Sequence, residues 1–375
     1  MALKGILPDH MIAALAEAGG ICPATAFVAD QIQPASLDLR LGTVAYRVRA
    51  SFLPGPRTTV AERIKELRLH EFPLTGGAVL ETGCVYIVPL LESLDLPDDI
   101  SAAANPKSST GRLDVFTRVI ADQMQGFDRI GAGYRGPLYA EISPKTFPVL
   151  VREGSRLSQI RFRRGQALLD AGALRELHAR ERLTDDACAD VGEGIAIGVD
   201  LSGLGPGGLV GYRAKRHTGV IDVERRAAYE LGDFWEPMAA RADQSLILDP
   251  DEFYILASKE AVQVPPDYAA EMVPFDPLVG EFRVHYAGFF DPGFGHAPAG
   301  GEGSRAVLEV RSHEVPFILE HGQVVGRLVY EKLTERPDRL YGGDVGSNYQ
   351  AQGLKLSKHF RPFSGGGRAA VEPPP

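Results

Sequence analysis

Residues 78–100 read AVLETGCVYIVPLLESLDLPDDI, and residues 246–268 repeat this pattern as LILDPDEFYILASKEAVQVPPDY. Tyr86 in the first stretch matches Tyr254 in the second, at an offset of 254 − 86 = 168 residues. Both stretches hold short runs of β-branched and aromatic residues bounded by Gly, Pro or Asp, which is typical of β-strands. The chain therefore contains the same group of strands twice.

The repeat extends over a second block at the same offset. Residues 138–162, LYAEISPKTFPVLVREGSRLSQIRF, match residues 307–330, VLEVRSHEVPFILEHGQVVGRLVY. One offset over two separated blocks indicates a tandem duplication, and a length of 375 residues also favours about two domains. We therefore predict two domains, at residues 1–185 and 190–375.

The apolar runs are short and turn residues are frequent, with 42 Gly and 27 Pro in the chain. Many short strands joined by close turns predict a mainly β fold, in which antiparallel sheets close into a barrel or pack as a sandwich. Helical patterns are confined to residues 8–18, 60–67, 170–181 and 223–231. We expect two such β units with a few short helices.

Cysteine usage, charge and hydropathy narrow the classes of protein. The three cysteines, Cys22, Cys84 and Cys188, are widely spaced and odd in number, which argues against a disulfide framework and favours a reducing, cytoplasmic location. A net charge of −9 disfavours general nucleic-acid binding. No apolar run reaches the ~18 residues that span a bilayer. We therefore expect neither nucleic acid nor a membrane as a partner.

The run KSSTGR at residues 107–112 combines hydroxyls, a Lys and an Arg in one turn. Gly111 allows the backbone to approach a ligand closely, Arg112 can grip an oxyanion with two hydrogen bonds, and Lys107 adds a point charge. The run is thus a candidate anion site. The alternative is a solvated turn capped by Ser.

Residues 285–295, HYAGFFDPGFG, predict a β-hairpin, because Asp-Pro-Gly is a strong turn signal between apolar arms. Aromatic side chains beside Asp291 could hold a flat ring and a sugar hydroxyl. The alternative is an ordinary hairpin tip.

Glu141 and Glu309 lie inside apolar strand patterns, PLYAEIS and AVLEVRS, at equivalent positions of the repeat. Each carboxylate lies either on the solvent face of its strand or in the interior. A buried Glu has a raised pKa and can transfer protons near neutral pH. Both residues are therefore candidates for acid–base chemistry.

The C-terminal segment GGDVGSNYQAQGLKLSKHF (342–360) is Gly-rich and then polar, with Tyr349 and Gln352. It is either a disordered terminus or a lid that becomes ordered over a ligand.

Together, these four pieces resemble the dCTP deaminase family and the related trimeric dUTPases. IQPASLDLRLG (32–42) is similar to the early strand motif of that family, and LESLDLPDDISAAANPKSSTGRLDVFTRVIA (91–121) is similar to the segment around its phosphate loop. The hairpin and the C-terminal segment follow in the family's order. The resemblance implies two tandem dUTPase-like, distorted, jelly-roll-like β-barrels.

The resemblance also implies a reaction, the deamination of dCTP to dUTP. The triphosphate, with the Mg²⁺ that it carries, would lie against the KSSTGR turn, while Ser108 and Arg112 would help to hold the attacking water. The hairpin backbone would bind the cytosine edge and its Asp the 3′-hydroxyl, and a strand Glu would transfer the proton of water to N3 and the leaving ammonia. The implied substrate-binding residues are Lys107, Ser108, Ser109, Thr110, Gly111, Arg112, Ala287, Asp291, Tyr349 and Gln352. No zinc is implied, and the H-x-E and P-C-x-x-C motifs of zinc deaminases are absent from the sequence.

Each half departs from the family pattern at a different place. The first half keeps the turn, but its hairpin segment at 121–136 is longer and has Asp128 without Asp-Pro-Gly. The second half keeps the hairpin, but residues 273–282 lack Ser and Arg where the turn would be. In this superfamily the two parts of one site come from different subunits. We therefore expect one composite site, with Glu309 as the proton carrier; the alternative is Glu141 in a site made of first halves only.

Three functions stay open at this level. The first is dCTP deamination, and the second is dUTP pyrophosphohydrolysis, alone or coupled to deamination to form dUMP. The third is a nucleotide-binding regulator without catalysis, because each half has lost part of a site. The family resemblance also implies a homo-oligomer and regulation by dTTP.

Overall fold

Short β-strands build most of the protein. The computed structural model describes residues 3–204, 207–274, 282–285, 288–297, 302–312, 314–342, 345–346 and 353–361. Within these residues, the strands of the first half are β1 (Gly5–Ile6), β2 (Ile21–Pro23), β3 (Ile32–Gln33), β4 (Ser36–Leu39), β5 (Val44–Val48), β6 (Arg68–Pro73), β7 (Ala78–Leu80), β8 (Val85–Asp95), β9 (Ile100–Pro106), β10 (Val115–Ala121), β11 (Arg129–Ile130), β12 (Arg135–Pro144), β13 (Val149–Val151) and β14 (Ser158–Arg164). Those of the second half are β15 (Ile195–Gly198), β16 (Leu209–Ala214), β17 (Ile221–Asp222), β18 (Trp235–Ala239), β19 (Ser245–Leu248), β20 (Phe253–Val262), β21 (Tyr268–Pro274), β22 (Phe282–His285), β23 (Phe289–Phe290), β24 (Ser304–Ser312), β25 (Phe317–Glu320), β26 (Val324–Lys332), β27 (Tyr341–Gly342) and β28 (Val345–Gly346).

The helices are few and short. They are α1 (Asp9–Glu17), α2 (Val60–Leu67), α3 (Ser108–Gly111), α4 (Ala171–Glu181) and α5 (Leu231–Phe234). The predicted helices at 8–18, 60–67 and 170–181 are confirmed, and none of the helices in the described ranges is long and apolar enough to cross a membrane.

The helix predicted at 223–231 is wrong. Ala227 takes a left-handed φ of 47°, which interrupts a helix, and its amide donates to the carbonyl of Lys358. The next amide, that of Ala228, donates to the carbonyl of His359. The backbone donors of this segment are therefore used by the distant C-terminal segment and not by a helix.

Each half holds two main antiparallel sheets. In the first half their strand orders are β11-β9-β14-β4-β3, with β1 beside β14, and β10-β12-β8-β5-β6, with β2 beside β8. In the second half they are β15-β26-β21-β23 and β18-β16-β20-β24-β22. The predicted mainly β fold with few short helices is confirmed.

The strand registers reproduce the repeat seen in the sequence. Tyr86 on β8 lies opposite Ile142 on β12, and Tyr254 on β20 lies opposite Val310 on β24. The two pairs are equivalent at the offset of 168 residues. The same strands are thus paired in the same register in both halves.

The two halves share a sheet and a core. On β13, Val149 pairs with Leu80 of its own half and, on the other side, in parallel with Ile221 of the second half. Beneath this sheet, the ring of Phe147 packs against that of Trp235, with centroids 5.4 Å apart. The halves therefore form a continuous interior.

Equivalent residues of the repeat meet between the halves. Arg163 on β14 donates to the carboxylate of Glu331 on β26, and these two positions are 168 residues apart. Equivalent positions contact each other only close to the symmetry axis that relates them. This axis therefore passes beside β14 and β26, while the predicted division of the chain at residues 185–190 stays a prediction.

Candidate active site

The KSSTGR turn directly follows β9 and folds into the single-turn helix α3. The carbonyl of Lys107 accepts hydrogen bonds from the amides of Thr110, at 2.8 Å, and Gly111, at 3.1 Å. The side chains of Ser109, Thr110 and Arg112 are buried, so the turn is not a solvated surface loop. Backbone hydrogen bonds within the turn hold its six residues in place, so the groups that can donate hydrogen bonds to an anion have fixed positions.

The charge of Lys107 is balanced by a buried carboxylate. Lys107 Nζ donates to Asp38 on β4, and Arg156 lies 3.4 Å from the same carboxylate. Asp38 is almost fully buried, and its Oδ1 has no hydrogen-bond partner in the described part of the chain. An anion that binds here would therefore compete with Asp38 for Lys107.

Glu309 meets the turn from the second half. It lies on β24 with only 2% of its surface exposed. A Cβ atom placed on Gly111 would lie 2.2 Å from Glu309 Oε2, so the carboxylate rests directly on the Gly111 backbone. The structure thus brings together two predicted site residues that are almost 200 positions apart, and any side chain at 111 would displace the carboxylate from its present position.

The predicted β-hairpin at 285–295 is only partly correct: a turn begins at Asp291, but β23 pairs with β21 and, in the described residues, not with a second arm after the turn. We keep the name hairpin for residues 288–295, which dock beside the KSSTGR turn. The amide of Gly288 donates to Oδ1 of Asn105, at 3.0 Å, one position before the end of β9. Asp291 is buried and lies 3.4 Å from Nη2 of Arg161. Burial raises the pKa of Asp291, while the positive charges of Arg161 and Lys107 oppose that rise. The hairpin is therefore attached to the end of β9, two positions before the turn begins at Lys107.

Glu141 has a different environment from Glu309. It is buried on β12, and its Oε1 accepts from Nε of Arg118 at 3.1 Å. The guanidinium of Arg118 is held between the rings of Phe116, at 4.5 Å, and Phe127, at 3.4 Å. The Glu141 carboxylate is thus committed to an ion pair with a fixed partner.

A cavity of about 630 Å³ lies between the halves, within the range of about 300–1,000 Å³ that is usual for small-molecule sites. Gly111 and Glu309 line one part of it, and Phe116, Arg118 and Asp128 line another.

Asp128 was the candidate acid of the first-half hairpin. Its Oδ1 accepts from the amide of Val119 at 2.7 Å, and burial raises its pKa to about 7. Its carboxylate is thus held by its own half, next to the Arg118 side of the cavity.

The end of the C-terminal segment, residues 353–361, packs against the turn. The carbonyl of Lys355 accepts from Nη1 of Arg112 at 2.8 Å, and the hydroxyl of Ser357 donates to the carbonyl of Ser109 at 2.8 Å. This part of the segment is ordered and not a free terminus. The predicted residues Ala287, Tyr349 and Gln352 lie outside the described residues.

Several residues at the site carried no motif in the sequence. Asn105 contacts Gly288 of the hairpin, Arg161 contacts Asp291, and Ser357 contacts Ser109. Two of them differ from their counterparts in the repeat, because Asn105 corresponds to Val273 and Arg161 to Val329.

Comparisons with known proteins match both halves of the chain. The family model described as "2'-deoxycytidine 5'-triphosphate deaminase (DCD) N-terminal domain" matches residues 3–166, and the corresponding C-terminal domain matches residues 170–360. A protein of Halobacterium salinarum named "dCTP deaminase, dUMP-forming" is 32% identical over 127 residues, which are 33% of this chain and 60% of the relative. A protein of Parafrankia sp. with the same name is 33% identical over 150 residues, which are 38% of this chain and 69% of the relative.

A solved structure is similar over most of the chain. The crystal structure of 2'-deoxycytidine 5'-triphosphate deaminase from Agrobacterium tumefaciens shares 64% sequence identity and superposes with a TM-score of 0.85. The match covers 90% of this chain and 100% of that one, which supports the predicted pair of dUTPase-like barrels. The chain belongs to the dCTP deaminase family.

Proposed function

We propose that this protein deaminates dCTP to dUTP and ammonia at one composite site between its two halves. The observation that carries the proposal is the contact between the Glu309 carboxylate and the backbone of Gly111. It places a buried acid of the second half against the only turn in the sequence that reads Lys-Ser-Ser-x-x-Arg. The family membership supports the choice of substrate.

The turn would bind the triphosphate. Lys107 would supply a point charge and Ser108 and Ser109 hydroxyl donors, while Thr110 and Gly111 shape the turn. This donor set of hydroxyls and cations suits phosphate oxygens and would repel a bare divalent ion. We therefore infer that Mg²⁺ is held by the triphosphate, whose negative charge it offsets, and that no zinc takes part.

Glu309 would act as the general base. It accepts a proton from the water that attacks C4 of the cytosine ring and passes it to N3, and it then carries the proton of the new C4 hydroxyl to the departing amino group. The new C–O bond replaces the C–N bond, and ammonia leaves. Arg112 and Ser108 would hold the water, and Asp291 would accept a hydrogen bond from the 3′-hydroxyl.

Glu309 suits this role better than Glu141. A general base must be within reach of the proton that it takes, and Glu141 is engaged by Arg118. Glu309 lies against the Gly111 backbone of the turn that would bind the triphosphate, whereas Glu141 lies beside Arg118 of β10.

Two isosteric variants test this assignment. Ammonia release from dCTP is measured for Glu309→Gln and for Glu141→Gln, with thermal unfolding as a check on folding. We expect Glu309→Gln to lose at least about a hundredfold in kcat and Glu141→Gln to stay within about tenfold of wild type. An inactive Glu141→Gln beside a fully active Glu309→Gln would show that the composite site is wrong.

Formation of dUMP is the second candidate function, because two similar relatives carry the name "dCTP deaminase, dUMP-forming". Separation of the nucleotides after incubation with dCTP decides between the two. Accumulation of dUTP supports deamination alone, whereas dUMP with pyrophosphate supports the coupled reaction. Incubation with dUTP as the starting nucleotide then shows whether the second step occurs by itself.

We further infer that dTTP competes for this site, since it presents a pyrimidine deoxynucleoside triphosphate to the same turn and hairpin. Assembly into a homo-oligomer and a cytoplasmic location also remain proposals. Inhibition by dTTP in the ammonia assay and light scattering of the purified chain test the first two.

A further inference from the structure

Arg161 is a buried cation that crosses from one half to the other. It lies on β14 of the first half with 1% of its surface exposed. Its Nη1 donates to the carbonyl of Ala270 at 3.2 Å, and its Nη2 donates to the carbonyl of Phe290 at 3.3 Å. Nη2 also lies 3.4 Å from Oδ1 of Asp291. All three acceptors belong to the second half, on the hairpin or on the strand beside it.

The groups around Arg161 hold its guanidinium against this hairpin. Its guanidinium carbon lies 4.1 Å from the centre of the Phe289 ring, so the hairpin also covers its face. Glu331 Oε2 lies 3.6 Å from Nη1 of Arg161, while Oε1 of the same carboxylate accepts from Arg163. A buried charge is unfavourable unless it is paired and hydrogen-bonded. Asp291 and Glu331 together balance the charge of Arg161, and Asp291 is the nearer of the two.

Of the two equivalent positions in the repeat, the one in the first half holds this cation and the one in the second half does not. Arg161 lies opposite Ala103 in its sheet, and the equivalent residue Val329 lies opposite Glu271. The second half thus offers an apolar side chain where the first half offers Arg. Correspondingly, Asp128 of the first-half hairpin is held by an amide of its own half. The hairpin that keeps Asp-Pro-Gly is the one with a cation beneath it.

We propose that Arg161 is a positioning residue for sugar recognition, which holds the Asp291 carboxylate toward the deoxyribose 3′-hydroxyl of the bound nucleotide. This inference rests on the proposed function, in which Asp291 accepts that hydroxyl. Arg161 itself lies behind the hairpin and would not touch the nucleotide. It therefore acts on selectivity for the 3′-hydroxyl and not on the triphosphate or the base.

The test compares dCTP with 2′,3′-dideoxy-CTP, which lacks only the 3′-hydroxyl. Dissociation constants are measured by calorimetry on proteins that also carry Glu309→Gln, so that dCTP is not consumed. The kcat/KM values are measured on proteins that keep Glu309. We expect Arg161→Met to bind dCTP about ten- to a hundredfold more weakly, because a charge-assisted hydrogen bond is lost, and to bind the dideoxy analogue within about twofold of the parent. Arg161→Lys, which keeps the charge, should recover part of the selectivity.

Arg164→Met is the matched control, because Arg164 lies on the same strand and its side chain bonds Asp99 of the first half. Its selectivity should equal that of wild type. An equal loss for both nucleotides in Arg161→Met, or an unchanged ratio between them, would overturn the proposal. Should Arg161→Met not fold, Arg161→Gln, which keeps an amide donor for the carbonyls, is judged by the same criteria.

The dissociation constants distinguish a failure of this inference from a failure of the proposed function. A wild-type protein that binds dCTP more tightly than the dideoxy analogue but releases no ammonia would refute deamination. The effect of Arg161→Met on the ratio of the two dissociation constants would still decide the role of Arg161.

Discussion

Gly111→Ala tests the contact on which the composite site depends. The added Cβ would lie 2.2 Å from Oε2, 2.7 Å from Cδ and 2.8 Å from Oε1 of Glu309. Non-bonded carbon and oxygen atoms need more than about 3 Å, so the carboxylate must move by roughly 1 Å. Because it is the end of a flexible side chain, it can move without displacing the backbone.

The same geometry predicts a large effect on turnover and a small effect on stability. A displacement of about 1 Å of a reacting group can cost on the order of a hundredfold in rate, or about 2.7 kcal/mol in the activation barrier. Gly111 has no left-handed backbone and lies in a helical turn, where Ala is favoured over Gly by up to about 1 kcal/mol. The variant should therefore be folded, with an unfolding temperature equal to or above that of wild type.

The assay is steady-state ammonia release from dCTP, together with thermal unfolding of each protein. Gly232→Ala is the matched control, because Gly232 lies in the short helix α5 and its added Cβ would contact nothing within 4 Å. Wild-type kcat in a folded Gly111→Ala protein would refute the reasoning, since the acid would then tolerate displacement. A folded but slow variant, beside a fast Gly232→Ala, would support it.

Three further changes have defined outcomes. Arg112→Ala should lower kcat by at least about a hundredfold, whereas Arg135→Ala, which removes an exposed ion pair, should leave the ammonia assay unchanged. Ser357→Ala removes the bond to the Ser109 carbonyl and should raise KM for dCTP about fivefold, from the ~1 kcal/mol that one neutral hydrogen bond contributes. Burial lowers the pKa of His359 from 6.5 to about 4. As pH falls, His359 is therefore protonated in the unfolded chain before it is protonated in the folded protein. The free energy of unfolding should drop by about 3 kcal/mol between pH 6.5 and 4. His359→Gln should flatten this part of the stability profile measured by urea unfolding, and an unchanged slope would show that His359 does not titrate there.

The repeat and its registers could be predicted from sequence because they depend on local pattern. Short runs of β-branched and aromatic residues bounded by Gly, Pro or Asp predicted β8 and β20, and their offset survives in the pairing of Tyr86 and Tyr254 with equivalent partners. The turns at 107–112 and at Asp291 could also be predicted, since each is a short segment with its own turn chemistry. The predicted pairing of two arms around Asp291 was wrong, because β23 pairs with β21 instead.

Contacts between distant segments could not be predicted in this way. Residues 223–231 have helical composition, yet the amides of Ala227 and Ala228 bond carbonyls of a turn about 130 positions later, and tertiary pairing overrides local propensity. The ion pair of Glu141 with Arg118 depends on the register of β10 against β12. Arg161 was visible only as a difference between two copies of a repeat, and its partner lies in the other half.

The two halves are joined by the parallel pairing of β13 with β17 and by the shared interior beneath it. This connection determines how activity depends on protein concentration. Separation of the halves would break a sheet and expose Phe147 and Trp235, so the turn and Glu309 stay together whenever the chain is folded. Their local concentration is then fixed by the fold and does not depend on the amount of protein. We therefore expect the specific activity to remain constant on dilution, because folding of a single chain brings the turn and Glu309 together at a rate that does not depend on protein concentration.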